Sequence, residues 1–142
     1  MNGMSGNKCP FSIIQASGAC GCRHAEEVVR RGGSEYDCTE AAAHAVCAAL
    51  VEHLNALALP ELGYEDDLTQ TPKSVYERIL LGGLQGLRQA RDPADSDPGT
   101  ADIWPVVEAA AGEYGDVTQI PAPTVLPAIQ ACRIRRRQRG RG

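Results

Sequence analysis

Aromatic residues are scarce in this sequence, and the shortage argues against a large class of folds. Only 4% of the residues are aromatic although 43% are hydrophobic, and alanine is used heavily among the latter. Small apolar side chains let helices pack closely, whereas sheet sandwiches rely on β-branched and aromatic residues. Strand-like alternation is weak throughout. We therefore predict an all-α fold, a small bundle of four to five helices with a cysteine-rich N-terminal loop.

Sequence signatures of several enzyme classes are also missing. No G-x-G-x-x-G, Walker A or G-x-S-x-G motif occurs. A di-iron carboxylate site needs Glu-x-x-His pairs, but Glu40 and His44 are four residues apart and Glu26 has no histidine three residues on. The acidic loop at 65–67 lacks the EF-hand pattern. The sequence predicts no nucleotide-dependent enzyme and no serine hydrolase, and it favours a protein that is not an enzyme.

A basic body is absent, because positive charge is concentrated at the C-terminus. Six arginines fall in residues 133–142, whereas residues 1–132 carry 8 basic against 18 acidic side chains, a formal charge of −10. A folded nucleic-acid-binding domain would present a basic face instead. We expect the tail to be disordered and to contact nucleic acid only weakly, through phosphates. A protein that exchanges electrons or a cofactor is the expected partner, and the oligomeric state stays open.

A secretory signal and a long apolar run are missing as well. Residues 1–8 contain one basic residue and no apolar stretch, and no run of about 18 apolar residues follows. These observations predict a cytoplasmic protein without a membrane span. Thiols stay reduced in the cytoplasm, so clustered cysteines there are more often metal ligands or catalytic groups than disulfides.

Glycine and proline divide the rest of the chain into segments. We predict helices over about 23–31, ended by Gly32-Gly33, over about 39–59, ended by Pro60, and from Thr71-Pro72 onward. Gly82-Gly83 inside the third helix predicts a kink or a close approach by another backbone. Two shorter helices would start at Trp104-Pro105 and at Pro127. The predicted organisation is a cysteine-rich helical metal-binding domain at 1–91, a linker or exposed loop at 92–101, short helices packed on the same domain at 102–132, and a basic disordered tail at 133–142.

What the sequence does contain is an unusual group of cysteines in its first third. Five of the six fall there, at Cys9, Cys20, Cys22, Cys38 and Cys47. Glycine and alanine surround the first three, so the backbone is able to bend tightly and expose its amides. Cys22 and Cys38 would precede helices whose N-termini favour thiolate. This pattern predicts a thiolate site that several sulfurs share.

The spacing favours an iron–sulfur cluster over zinc. Structural zinc sites generally use C-x₂₋₄-C knuckles, and the closest pair in this chain is Cys20-Gly21-Cys22. Iron–sulfur ligation tolerates varied spacing, and the Cys9-Pro10 step is similar to cysteine–proline steps at cluster sites. We predict one [4Fe-4S] cluster on Cys9, Cys22, Cys38 and Cys47, with zinc as the alternative metal.

Other residues near these cysteines have lesser predicted roles. Cys20 is an alternative ligand to Cys22. His44 is expected to contact a metal ligand without binding the metal itself, because it shares a helix face with Cys47. Cys132 is expected to be an ordinary packed thiol. His24 and His53 are expected on exposed faces.

The predicted task is electron transfer, redox sensing or cluster delivery. One alternative is an interaction module stapled by zinc or a disulfide. The other is a metal-free thiol redox protein, and a nucleophilic enzyme using Cys38 with His44 as base is a weaker possibility because no orienting group follows.

Overall fold

The computed structural model describes residues 8–31, 33–64, 71–95, 97 and 99–132. Within these residues the chain forms five α-helices and one two-stranded antiparallel sheet. The all-α prediction is therefore wrong, and the fold is mixed although mostly helical. In chain order the elements are α1 Ser12–Ala16, β1 Ala25–Arg30, β2 Gly33–Cys38, α2 Ala41–Glu61, α3 Lys73–Arg91, α4 Ile103–Tyr114, a 3-10 helix Val117–Gln119 and α5 Ala122–Ala131.

The error in fold class lies in residues 23–38, where a β-hairpin replaces the predicted first helix. The register pairs Ala25 with Cys38 and Arg30 with Gly33, so only two residues connect the strands. Gly33 has φ of 121°, a conformation that favours glycine, and a Gly-Gly pair is as much a hairpin signal as a helix stop. The guanidinium group of Arg30 on β1 forms ion pairs with two carboxylates on β2, at 3.0 Å from Glu35 and 2.9 Å from Asp37. Cross-strand charge pairs of this kind support a hairpin.

The hairpin is attached to the rest of the fold along its second strand. The backbone amide of Cys9 donates to the carbonyl of Tyr36 over 2.7 Å, and Lys8 forms an isolated bridge with Asp37. The amide of Tyr36 also donates to the hydroxyl of Ser12 at 3.0 Å. The segment around Cys9 is thereby held against β2, close to the end where Cys38 lies.

Helices α2 to α5 contain most of the core. The predicted second helix is confirmed, although it extends past Pro60 to Glu61. Its side chains at three- and four-residue spacing are buried, as expected for one apolar face of a helix against a core. The fully buried large side chains of this core include Leu50, Leu54, Ile79, Leu84, Val107, Val125 and Ile129.

Glycines in α3 make room for the backbone of α5. A methyl group built on Gly82 would meet the Cα of Ile129 at 2.5 Å, and one on Gly86 would meet the carbonyl oxygen of Thr124 at 2.8 Å. The close approach predicted for Gly82-Gly83 is thus confirmed, and the neighbouring backbone at Gly82 belongs to α5. Only glycine permits that separation without a shift of one helix.

The two C-terminal helices were predicted unequally well. α4 begins next to Trp104 and ends at Tyr114, where Gly115 has φ of 80°, in agreement with the prediction. α5 instead begins at Ala122, so Pro123 lies in its first turn and Pro127 lies inside it. Proline is accepted in a first turn, where its missing amide hydrogen would have no helical partner. The predicted start of this helix at Pro127 is therefore wrong by five residues.

Some predictions concern residues outside the described ranges. These are the arginine tail at 133–142, the acidic loop at 65–67 and the first seven residues.

Length and hydropathy alone would also allow α2 to cross a membrane, with an 18-residue window of mean hydropathy 1.4 in the part of the chain that was searched. A core helix passes the same test, and 33% of that window is buried inside the fold. This is weak evidence, and the cytoplasmic location stays a prediction.

Candidate metal centre

Four cysteines line one small cavity between the hairpin, α2 and the start of α4. They are Cys9, Cys22, Cys38 and Cys47, the set that the sequence predicts as ligands. Each comes from a different segment: the loop before α1, the loop before β1, the last residue of β2 and the interior of α2. The cavity measures about 10 Å³, roughly the space for one water molecule. Their convergence is a geometric finding, and their role as ligands stays a prediction.

The loop that carries Cys22 is held in place by the chain just before α4. The amide of Gly21 donates to the carbonyl of Thr100 at 3.0 Å, and the amide of Ile103 donates to the carbonyl of Gly21 at 2.8 Å. A side chain on Gly21 would meet the carbonyl oxygen of Ala101 at 3.0 Å. The small residues around the cysteines therefore allow two backbone segments that are far apart in the sequence to lie in close contact.

An ion pair on the surface joins the same two segments. Arg23 binds Asp102 twice, through its backbone amide at 3.0 Å and its side-chain Nε at 2.9 Å. Desolvation raises the pKa of Asp102, but the hydrogen bonds and charge of Arg23 outweigh it and lower that pKa overall. The pair joins the Cys22 loop to the residue that precedes α4.

The sulfur of Cys9 is buried yet surrounded by hydrogen-bond donors. The side-chain amide of Gln15 donates to its Sγ at 3.1 Å, and the backbone of Phe11 supplies a second hydrogen bond. Desolvation dominates nevertheless and raises the pKa of Cys9 to about 11, with further increases from charge on Cys22 and Cys38. Without a metal, this thiol is neutral at pH 7.

Cys22 and Cys47 are neutral for the same reason. Burial raises the pKa of Cys22, although backbone hydrogen bonds from His24 and Trp104 oppose the shift. Burial, with smaller contributions from charge on Cys9, Cys22 and Cys38, raises the pKa of Cys47 to about 12. The expectation that a helix N-terminus lowers the pKa of Cys22 is wrong, because Cys22 precedes a strand.

Cys38 is bound differently. Its thiol donates to the backbone carbonyl of Glu40 at 3.3 Å, directly before the first residue of α2. The proton of this thiol is the one that a metal would have to displace at this corner of the cavity.

Aromatic and apolar side chains line the same cavity as the four cysteines. Phe11 and Ile103 are fully buried, and His24 and Trp104 are half-buried, with their ring centroids 5.6 Å apart in an edge-to-face arrangement. His24 was expected on an exposed helix start, which is wrong. Trp104, the single tryptophan of the chain, was predicted only as a helix start.

The remaining predicted residues lie elsewhere. Cys20 faces Thr100, whose backbone and side chain both hydrogen-bond to it, and burial raises its pKa. Cys132 is half-buried at the end of α5. His44 lies next to the backbone carbonyl of Lys8, 3.1 Å from its Nε2, and it does not line the cavity. His53 is half-buried against the carbonyl of Ile120 at 2.9 Å, so the expectation of an exposed face is wrong.

The described residues contain no ready-made site for a single metal ion. In the described part of the chain, no three His, Cys, Asp or Glu side chains are close enough to hold one metal ion. Zn–S bonds of about 2.3 Å in a tetrahedron would place the sulfurs about 3.8 Å apart. A preformed zinc site is therefore absent from the described residues.

Comparison of this chain with protein-family models, with curated proteins and with solved structures finds no match. The function is therefore argued from the cavity alone. Residues 99–104 are the part of the site that sequence reasoning missed, since a single sequence gives no sign that they meet Cys22. The only available signal was the lone tryptophan of an aromatic-poor chain, placed directly after a loop.

Proposed function

We propose that this chain is an iron–sulfur protein with one [4Fe-4S] cluster on Cys9, Cys22, Cys38 and Cys47, used for electron transfer, redox sensing or cluster delivery. The observation that carries the proposal is the convergence of these four thiols, from four separate segments, on one cavity. Four thiolates are the usual ligand set of such a cluster. When bound, the cluster supplies a centre that gains and loses one electron.

Packing alone would explain buried cysteines, but the donors around them support a ligand role. Free cysteine often fills a core as a small hydrophobic residue. Here Gln15 and the backbones of Phe11, His24 and Trp104 are hydrogen-bonded to the sulfurs of Cys9 and Cys22. Such bonds are weak for a thiol and about twice as strong for a charged acceptor. At iron–sulfur centres, hydrogen bonds to sulfur also help to set the reduction potential.

The spacing of the cysteines along the sequence supports a cluster over zinc, because the chain has no C-x₂₋₄-C knuckle. Iron–sulfur clusters are bound by cysteines of varied spacing, and a cluster is larger than a single ion. The cavity of about 10 Å³ is smaller than a cluster, so loading requires side chains to move outward. The hairpin is the part able to move, because Cys38 is the only buried residue in its two strands.

Each wall residue then has a defined task. Phe11 and Ile103 exclude water from one side, and Trp104 with His24 covers another. A dry surrounding strengthens the hydrogen bonds at the sulfurs and protects them from oxidation. Because metal binding must displace protons from thiols with raised pKa values, we expect loading to weaken as pH falls.

The direct test is a visible spectrum with iron, sulfide and zinc analysis of protein purified without oxygen. We expect a brown protein with about four iron atoms and four sulfides per chain. Cys22→Ser, Cys38→Ser and Cys47→Ser should each deplete the iron. Fluorescence of Trp104 should be quenched in the loaded protein, because a cluster that absorbs visible light would lie close to the indole ring. The fluorescence should recover in these three variants.

Two matched cysteine variants serve as controls. Cys20→Ser and Cys132→Ser make the same chemical change outside the cavity, and both should keep the iron and the quenching. Iron retained in all three ligand variants would overturn the ligand set. A colourless protein that stays free of iron after anaerobic reconstitution would overturn the cluster itself, and one bound zinc would then favour the stapled interaction module.

A further inference from the structure

A second and larger cavity lies on the other side of Cys9. It has a volume of about 540 Å³ and is bounded by the segment around α1, by α2 and by the first half of α3. Sites for small organic ligands commonly occupy about 300 to 1,000 Å³. Cys9 lines both this cavity, here called the α1–α3 cavity, and the four-cysteine cavity.

The wall of the α1–α3 cavity is mainly apolar. It includes the side chains of Pro10, Ile13, Val51, Tyr76 and Leu80. All except Leu80 are only partly buried, although they lie at the edge of the core. An apolar ligand would remove them from water, which is favourable by about 25 cal/mol per Å².

Positive charge is concentrated at this cavity in an otherwise acidic body. The chain has two lysines, and both Lys8 and Lys73 line the cavity. Among the described residues, no acidic side chain lines it. Lys8 contacts Glu35 only at 3.5 Å and is exposed, whereas Lys73 has no ion-pair partner in the described part of the chain. The charge of the cavity is therefore available to an anion.

The position of Lys73 also favours a role in binding. It is the first residue of α3, where the helix dipole is positive and a cation is unfavourable. Pro72, which precedes it, gives no side-chain cap to the free amides. Lysine at this position stabilises neither the helix nor a described ion pair, whereas it complements a negative ligand group.

A buried acceptor completes the set of polar groups. Asn55 on α2 lines the α1–α3 cavity, and its side-chain oxygen Oδ1 is buried without a hydrogen bond from the described residues. Leaving a buried acceptor unpaired is unfavourable, because it has lost its hydrogen bonds to water. A ligand with an N–H donor would satisfy it.

From these observations we infer that the α1–α3 cavity binds a small organic carboxylate with an apolar, preferably aromatic, body and an N–H donor. The carboxylate meets Lys73 and Lys8, the body lies against Ile13, Val51 and Tyr76, and the N–H group donates to Asn55. Binding of this ligand does not require a cluster. If the proposed function holds, the ligand also lies against Cys9 and changes the surroundings of one cluster ligand.

The probe is indole-3-acetate, which combines the three features, titrated into the purified full-length chain and followed by calorimetry. A ligand of this size in a fitting pocket binds with a dissociation constant of about 1 mM or below. Indole lacks the carboxylate and 1-methylindole-3-acetate lacks the N–H group. Each should bind about tenfold more weakly, as expected for one charged contact or one buried hydrogen bond.

Protein variants locate the binding. Lys73→Gln and Asn55→Leu should each weaken indole-3-acetate about tenfold. Arg91→Gln removes the same charge from an exposed position at the far end of α3, about 27 Å away, and should leave binding unchanged. Lys73 is exposed, so its replacement tests the site even if Asn55→Leu fails to fold.

Two results would overturn the inference: no binding of indole-3-acetate by the unaltered protein, or equal weakening by Lys73→Gln and Arg91→Gln. Iron analysis of the same samples separates this inference from the proposed function. If the protein contains iron but does not bind indole-3-acetate, only the proposed ligand site is refuted. If it binds indole-3-acetate but contains no iron, only the proposed cluster is refuted.

Discussion

The N-terminal third and the helical remainder of this molecule are stabilised in different ways. Helices α2 to α5 bury a continuous set of leucine, isoleucine and valine side chains. The β1–β2 hairpin contributes one buried residue, Cys38, and leaves Val29 80% exposed. A two-stranded hairpin is at best marginal on its own in water.

This difference indicates what the cysteines do for the fold. The helices share one continuous apolar core, whereas the hairpin is connected to them by the segment around Cys9, by Ser12 and by the cysteine cavity. Metal binding to ligands from both regions would join them, as metals do in small domains with little core. The site and the stability of the hairpin are thus expected to depend on each other.

The largest difference should appear when one apolar side chain is truncated in each region. Leu84 is fully buried in α3, so Leu84→Ala should lower the free energy of unfolding by about 2 to 5 kcal/mol. Val29→Ala removes an exposed side chain from β1 and should change it by less than about 0.5 kcal/mol. Urea unfolding followed by circular dichroism measures both. A similar decrease in the free energy of unfolding for the two variants would contradict this difference between the hairpin and the helical core.

Alkaline pH should destabilise the metal-free protein through the cavity. Burial raises the pKa of Cys9 to about 11 and of Cys47 to about 12 from an ordinary value of 9. A raised pKa in the folded state stabilises the fold below pH 9, and this contribution is lost as pH rises toward 11 to 12. At about 1.4 kcal/mol per pKa unit, the two shifts together correspond to a loss of several kcal/mol.

The control for that experiment is Cys47→Ala, which removes one of the two titrating thiols. Its unfolding midpoint in urea should fall less between pH 8 and pH 11 than the midpoint of the unaltered protein. An identical fall would show that the cavity thiols are not responsible.

Close packing of α3 on α5 gives a prediction within the helical region. Gly82→Ala places a methyl group 2.5 Å from the Cα of Ile129, which should cost about 1 to 3 kcal/mol even after the gain in helix propensity. Gly112→Ala in α4 meets nothing within 4 Å and should instead stabilise the protein by up to about 1 kcal/mol. Thermal unfolding of the pair measures the sign directly, and a stabilising Gly82→Ala would contradict the close approach.

The smallest expected effect on stability comes from the pair of Arg23 and Asp102. Both are partly exposed, so Asp102→Asn should change the free energy of unfolding by about 1 kcal/mol or less. The pair nevertheless holds the Cys22 loop, so loss of iron on dilution into a chelator should be faster in this variant. Glu108→Gln changes an exposed residue of α4 and is the control. Equal rates of iron loss in the two variants would show that the pair of Arg23 and Asp102 does not hold the Cys22 loop in place.

Local patterns were sufficient to predict the long helices, whereas the role of the four cysteines as ligands stays a prediction. Apolar spacing and the Thr71-Pro72 step located α2 and α3 to within a few residues. The four cysteines were chosen for their positions in the chain, and the structure brings the same four together. The argument for Cys22 was wrong in its reason, since no helix follows it.

Features that depend on long-range contacts could not be predicted. Whether Gly32-Gly33 ends a helix or turns a hairpin depends on what the following strand packs against, and that strand binds the segment around Cys9. Trp104 and Cys22 are far apart in sequence, and only the folded chain places them in one wall. The α1–α3 cavity joins residues from three helical segments in the same way.

Hydrogen exchange before and after anaerobic removal of the metal tests the central claim most directly. The account predicts that the amides of β1 and β2 lose protection by at least about tenfold, while the buried part of α3 keeps its protection. Restoring iron and sulfide should restore the hairpin. Unchanged exchange in the hairpin, or an equal loss throughout the helices, would contradict the claim that a cluster on these cysteines joins the two regions.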